Sequence, residues 1–141
     1  MFMVEFQMPM SGSSDGFNPD MPAFWLLNSK IVNTQQYDAC SCWKSGCGEW
    51  DIHEVLTKGA KQGSASMHMG KNFAGTPSET FQRPVGKTMK MAAIVSNGVA
   101  HIEVLDDDTT FDKVIKGSQV CGFLDHPEVT EFNVLLGSPG L

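Results

Sequence analysis

Short apolar runs separated by glycine, proline, asparagine and aspartate recur along this chain, and no segment sustains the 3.6-residue apolar stripe of an amphipathic helix. That pattern restricts the fold to strands joined by turns. Val4, Phe6 and Met8 alternate with Glu5 and Gln7, so Met1 to Met10 reads as a half-buried strand. The polar stretch Ser11 to Asp20 reads as a surface loop before the apolar run Met21 to Leu27. Further strand-like runs are Glu49 to Leu56, Ser64 to Met69, Thr88 to Val95, Ala100 to Leu105 and Glu131 to Leu136. Asn97-Gly98 supplies the positive φ angles of a tight hairpin turn, which brings Met91 to Val95 antiparallel to Ala100 to Leu105. One or two helical turns are expected only at Thr110 to Lys116, and Asn28 to Gly48 reads as a long loop. The class predicted is all-β, a sandwich or jelly roll, with no linker to divide residues 1–141 into more than one domain.

The charges narrow the partners. Sixteen acidic residues against ten basic ones give a net charge of -6, without the Lys/Arg cluster that tracks a phosphate backbone, so nucleic acid is not expected. No run approaches the roughly 18 apolar residues of a membrane span, so no membrane partner is expected. The apolar start lacks a basic leader and a cleavage site; a secretion signal, for a secreted protein, lies outside these residues. Cys40, Cys42, Cys47 and Cys121 are even in number, which favours an oxidising compartment and permits three pairings of two disulfides. Their spacing is not that of a paired zinc knuckle, and spacing does not choose among the pairings.

The most informative stretch is Gly48-Glu49-Trp50-Asp51-Ile52-His53-Glu54-Val55-Leu56, with three carboxylates in a strand-like run. In a regular strand Glu49 and Asp51 share a face and Glu54 points the other way. A β-bulge at Ile52-His53 restores the phase and turns all three carboxylates to one cleft. Such a row suits retaining glycoside hydrolysis, in which nucleophile and acid/base stand roughly 5 Å apart. A like charge at Asp51 helps a neighbour keep its proton, and Asp51 can orient the nucleophile. The plain alternative is a solvated strand face with exposed carboxylates. A calcium site is a lesser one, because a single strand face supplies too few of the six to eight oxygens calcium takes.

Met21-Pro22-Ala23-Phe24-Trp25-Leu26-Leu27 followed by Gly48-Glu49-Trp50-Asp51-Ile52-His53-Glu54 resembles the paired signature of glycoside hydrolase family 16. The segment Cys40-Ser41-Cys42-Trp43-Lys44-Ser45-Gly46-Cys47, with Gln35-Gln36-Tyr37 before it, resembles the fungal cell-wall proteins of the target-of-SBF type, whose glycosidase-like domain is related to family 16. Met67-His68-Met69-Gly70, Phe81-Gln82-Arg83-Pro84 and His101 to Asp107 extend the likeness, which runs from about Met3 to Asp108. It implies a concanavalin-like β-jelly-roll sandwich. The family carries further strands before the position of Met3, so the expectation is a fragment or short form, or a missing N-terminal segment supplied elsewhere.

The same resemblance implies Glu49 as nucleophile, Asp51 as the assisting carboxylate and Glu54 as general acid/base in retaining cleavage of β-1,3-glucan, without a cofactor or catalytic metal. It also implies Trp25 and Trp43 as aromatics that stack on sugar, and His68 on the neighbouring strand facing the acidic row. Each has a plainer reading: Trp25 as a core residue, His68 as a half-buried strand residue. Trp50 and His53 stand where relatives are expected to have smaller or apolar side chains, and both are expected to face away from substrate. A bridge from Cys42 to Cys47, or from Cys40 to Cys121, would hold the Trp43 loop against the cleft. Two functions follow: a glucanase or glucan-remodelling hydrolase of the cell wall or extracellular space, and a non-catalytic glucan-binding or structural wall protein.

Overall fold

The computed structural model describes residues 1–29, 48–68, 79–96, 99–124 and 130–133. Eight strands and one helix lie among them: β1 (Phe2–Phe6), β2 (Ala23–Leu27), β3 (Glu49–Glu54), β4 (Gln62–His68), β5 (Glu79–Gln82), β6 (Met89–Ser96), β7 (Val99–Leu105), α1 (Gly117–Leu124) and β8 (Thr130–Asn133). The strands form two four-stranded antiparallel sheets, ordered β1-β6-β7-β8 and β2-β3-β4-β5. The class is all-β. The chain divides into two compact units, Met8–Val85 and the combination of Met1–Gln7 with Gly86–Leu141.

In the latter unit, β6 and β7 form the predicted hairpin, with Ser96 opposite Val99 and Met91 opposite Val104; the turn residues Asn97 and Gly98 lie outside the described set. β1 adds to the free side of β6, pairing Val4 with Met91. Cross-strand partners share a sheet face. One face therefore gathers Phe2, Val4, Phe6, Met91, Ala93, Ala100 and Ile102. On the opposite face Ala92, Ile94 and Leu105 form a cluster that packs with Met3 and with Val120 of α1.

The helix lies at Gly117–Leu124 and not at Thr110 to Lys116. The backbone explains the shift: Lys116 occupies the N-cap position, its carbonyl accepts from the amides of Gln119 and Val120, and the Gln119 side-chain oxygen accepts the Lys116 N–H at 2.9 Å. This is half of a capping box, which starts a helix one residue after Lys116.

In the Met8–Val85 unit, the predicted loop Ser11 to Asp20 contains no strand or helix. It is anchored by Arg83, which is 5% exposed. The guanidinium donates to the carbonyls of Met8 (2.8 Å), Pro9 (2.6 Å), Asp20 (3.4 Å) and Ala60 (3.3 Å), and to Asp20 Oδ1 (2.7 Å). Those bonds use all five of its N–H groups. β5 had no sequence counterpart: Glu79–Gln82 alternates half-buried and exposed residues, with Phe81 alone strongly apolar.

Candidate active site

β3 begins after Gly48, whose φ of 95° favours glycine, and the Gly48 carbonyl accepts the Asn28 N–H at 3.0 Å. This fixes where β2 and β3 meet. Leu27 pairs with Glu49, Leu26 with Trp50 and Trp25 with Asp51; the next pair is Phe24 with His53, so Ile52 is skipped. On the other flank Glu49 pairs with His68, Asp51 with Ser66 and Glu54 with Ser64, so Ile52 and His53 together stand opposite Ala65. The expected bulge is present at the expected residues. Glu49, Asp51 and Glu54 consequently share one sheet face, in rows with Leu27 and His68, Trp25 and Ser66, and Ala23 and Ser64.

The reverse face takes the residues between. Trp50 is buried, and its indole N–H has no hydrogen-bond partner among the described residues. His53 is fully buried, with Nε2 3.3 Å from the Gln82 carbonyl and its ring stacked on Phe81 at 6.1 Å between centroids. A Cβ on Gly63 would overlap this imidazole, so the glycine makes the room. Burial lowers the His53 pKa, and the neutral ring can donate Nε2–H to the Gln82 carbonyl.

The acidic row is largely shielded from water: Glu49 is 6% and Asp51 3% exposed, while Glu54 is half-buried. Desolvation first, then the charges of Asp51 and Glu54, push the Glu49 carboxyl up to about 7. Glu54 is raised by desolvation and then by Asp51. Asp51 is also raised by burial, against the pull of the Ser66 hydroxyl and of His68. Ser66 Oγ donates to Asp51 Oδ2 at 3.0 Å, and His68 Nε2 lies 3.1 Å from the same oxygen.

Donor atoms of Glu49, Asp51 and His68 lie within 4.8 Å of one another. A hard cation would want more oxygens than these provide, and Asp51 Oδ2 is already engaged by Ser66 and His68. The group is accordingly read as a proton-sharing row with no metal assigned to it.

Of the residues singled out in the sequence, the structure brings together Glu49, Asp51, Glu54, His68 and half-buried Trp25 on one face of one sheet. Trp43, Cys40, Cys42 and Cys47 lie outside the described residues. Cys121 is exposed on α1 and has no disulfide partner among the described residues. Sequence reasoning missed Ser66 and Gly63. The signal for Ser66 was available, since a residue two before His68 in a strand shares its face.

The chain is 40% identical over 121 residues to the Saccharomyces cerevisiae protein named probable circularly permuted 1,3-beta-glucanase TOS1, a match that covers 84% of this chain and 26% of that one. It is 39% identical over 132 residues to the Candida albicans protein of the same name, covering 87% and 28%. A probable circularly permuted 1,3-beta-glucanase of Arthroderma benhamiae is 40% identical over 133 residues, covering 90% and 27%. The chain thus spans about a quarter of the length of these curated relatives. No solved structure gives a significant match. The family model described as cell wall protein YJL171C/Tos1, C-terminal, matches residues 1–123, and the chain belongs to that family.

Proposed function

We propose that this chain carries the catalytic strand of a retaining glycoside hydrolase of the family 16 type that cleaves β-1,3-glucan in the cell wall or outside the cell. The observation that carries the reading is the bulge at Ile52-His53, which puts Glu54 on the face of Glu49 and Asp51. The relatives' names, each a probable 1,3-beta-glucanase, support the substrate class. The reading takes residues 1–141 as one concanavalin-like jelly-roll domain, and the two antiparallel sheets support its all-β class. The reading includes disulfides among Cys40, Cys42, Cys47 and Cys121, with their pairing open.

In this mechanism Glu54, held protonated, gives its proton to the glycosidic oxygen while the ionised Glu49 attacks the anomeric carbon and forms a glycosyl-enzyme ester. Glu54 then takes a proton from water, which displaces Glu49 and restores both groups. Asp51 orients Glu49, and its charge favours the protonated form of either glutamate. Trp25, in the row of Asp51, offers an aromatic surface to a sugar ring, and Trp43 is a second stacking candidate. His68, opposite Glu49, would face the acidic residues from the neighbouring strand.

Trp25 also favours a second reading, a wall protein that binds glucan without cutting it, because an indole in the cleft holds sugar whether or not cleavage follows. The deciding experiment measures reducing ends released from soluble β-1,3-glucan by the purified protein and by Glu49→Gln, with retention on insoluble glucan in parallel. Release abolished in the variant supports the hydrolase. Retention without release by a folded parent protein supports the binder and rejects the hydrolase.

A further inference from the structure

Two donors from β4 converge on one oxygen of Asp51. The Ser66 hydroxyl donates to Oδ2 at 3.0 Å, His68 Nε2 stands 3.1 Å from that oxygen, and Ser66 Oγ and His68 Nε2 are 3.3 Å apart. The three groups close a triangle within a shielded part of the sheet. A carboxylate oxygen that receives two donors is fixed in rotation and favoured as an anion. From β2 the residues facing this row are Ala23, Trp25 and Leu27, none of which titrates; from β4 they are Ser64, Ser66 and His68; on β3 itself they are Glu49 and Glu54.

We propose that Ser66 is a positioning residue of this site: its hydroxyl, together with His68, clamps the Asp51 carboxylate as the fixed anion beside Glu49. The inference rests on the hydrolase reading for its catalytic consequence, although the clamp itself does not. Without the hydroxyl, Asp51 is held by His68 alone and takes a proton more readily, and its charge then weighs less on Glu49. The row's proton moves from Glu49 toward Asp51, while the nucleophile loses its oriented neighbour. Threonine keeps the hydroxyl and restores the clamp.

The test compares Ser66→Ala and Ser66→Thr with the parent in kcat, KM and the pH profile of kcat/KM on soluble β-1,3-glucan, alongside a carbon-13 titration of the Asp51 carboxyl. For Ser66→Ala we expect kcat to fall about ten- to a hundredfold, the loss typical of a hydrogen bond to a charged group. KM should change little, the acid limb should move to lower pH, and the Asp51 midpoint should rise. Ser66→Thr should retain parent values in all four. An Asp51 midpoint unmoved in Ser66→Ala, or a folded Ser66→Thr that loses as much kcat as Ser66→Ala, overturns the role of the hydroxyl. A parent without glucan cleavage overturns the hydrolase reading and the catalytic use of Ser66 with it, and the Asp51 titration still decides the clamp.

Discussion

The imidazole of His53 fills the space where a side chain on Gly63 would begin. The two residues meet on the reverse face of the sheet, directly behind the bulge that aligns the carboxylates. Gly63→Ala forces a fully buried ring to move, an overpacking at the upper end of its usual cost, about 3 kcal/mol. Thermal unfolding should register a Tm roughly 10 °C lower. Gly86→Ala is the control, since nothing lies within 4 Å of its added Cβ, and its effect should stay within about 0.5 kcal/mol. Equal stability for both variants would refute the fit between His53 and Gly63.

Glu49 predicts an inverted pH dependence of stability. Its carboxyl in the folded protein is raised from an ordinary 4.5 to about 7, so the folded state holds this proton more tightly than the unfolded chain. Its contribution is complete below about 4.5 and is lost as pH rises through about 7. Glu49→Gln removes that loss. The variant should be the more stable protein at pH 8, on the order of 1 kcal/mol after solvent screening is discounted, with the gap closing toward pH 4. Melting curves at the two pH values check it; a variant less stable than the parent at pH 8 contradicts the burial argument.

The same carboxyl predicts an acid limb in activity. As nucleophile Glu49 must be ionised and as acid Glu54 must be protonated, so kcat/KM on glucan should rise with pH toward about 7, where Glu49 loses its proton, and fall again as Glu54 loses its own. A profile flat from pH 5 to 8 would remove Glu49 from that role.

Glu54 is expected to matter in proportion to the leaving group. Glu54→Gln should reduce turnover of β-1,3-glucan by about a hundredfold or more and turnover of an activated aryl β-glucoside far less, because the aryl group departs without protonation. Steady-state rates on both substrates read the ratio directly. Equal losses would mean that Glu54 does not act as the acid.

Arg83 is expected to be a stability residue with no direct part in chemistry. Arg83→Met leaves four backbone carbonyls and the Asp20 carboxylate without the guanidinium, at a cost of about 3–5 kcal/mol. Arg83→Lys should recover only part, since a single ammonium cannot reproduce five donors in a planar fork. Chemical denaturation of both variants measures it. The Asp20 carboxyl is held below its ordinary 3.8 by the Ser11 N–H and then by Arg83, so this anchor contributes above that value and weakens as pH falls below it.

The acidic strand was legible because of a conflict. Glu54 stands an odd number of positions after Glu49 in a run that otherwise reads as a strand, and only an inserted residue reconciles a common face with a period of two. The β6–β7 hairpin was legible for a simpler reason: Asn97-Gly98 is flanked by two apolar runs. β5 was not, because Glu79–Gln82 owes its strand to pairing with β4, with Gly63 opposite Phe81, and to little in its own residues. The helix start at Gly117 depended on a side chain three residues after Lys116 closing on its backbone, and glycine at a first helical turn hides that signal. Its spacing placed Ser66 on the face of His68, but its partner Asp51 became visible only through the register, since the ladder decides which neighbour a strand serine meets.

The extra residue in β3 acts as a parity bit. Strand pairing on either side of Ile52-His53 depends on ladder hydrogen bonds, whereas the side on which Glu54 emerges depends on the count from Asp51 taken together with the bulge: three positions is an odd count that the one skipped residue converts to a common face. Removing one residue there would leave Glu54 two positions after Asp51, so both ladders would re-form without a bulge and Glu54 would stay on the same face, opposite Ser64. A chain one residue shorter between these carboxylates would therefore keep the acidic row on one face with a straight strand, whereas a chain of the present length whose strand ran straight would turn its last glutamate to the reverse face.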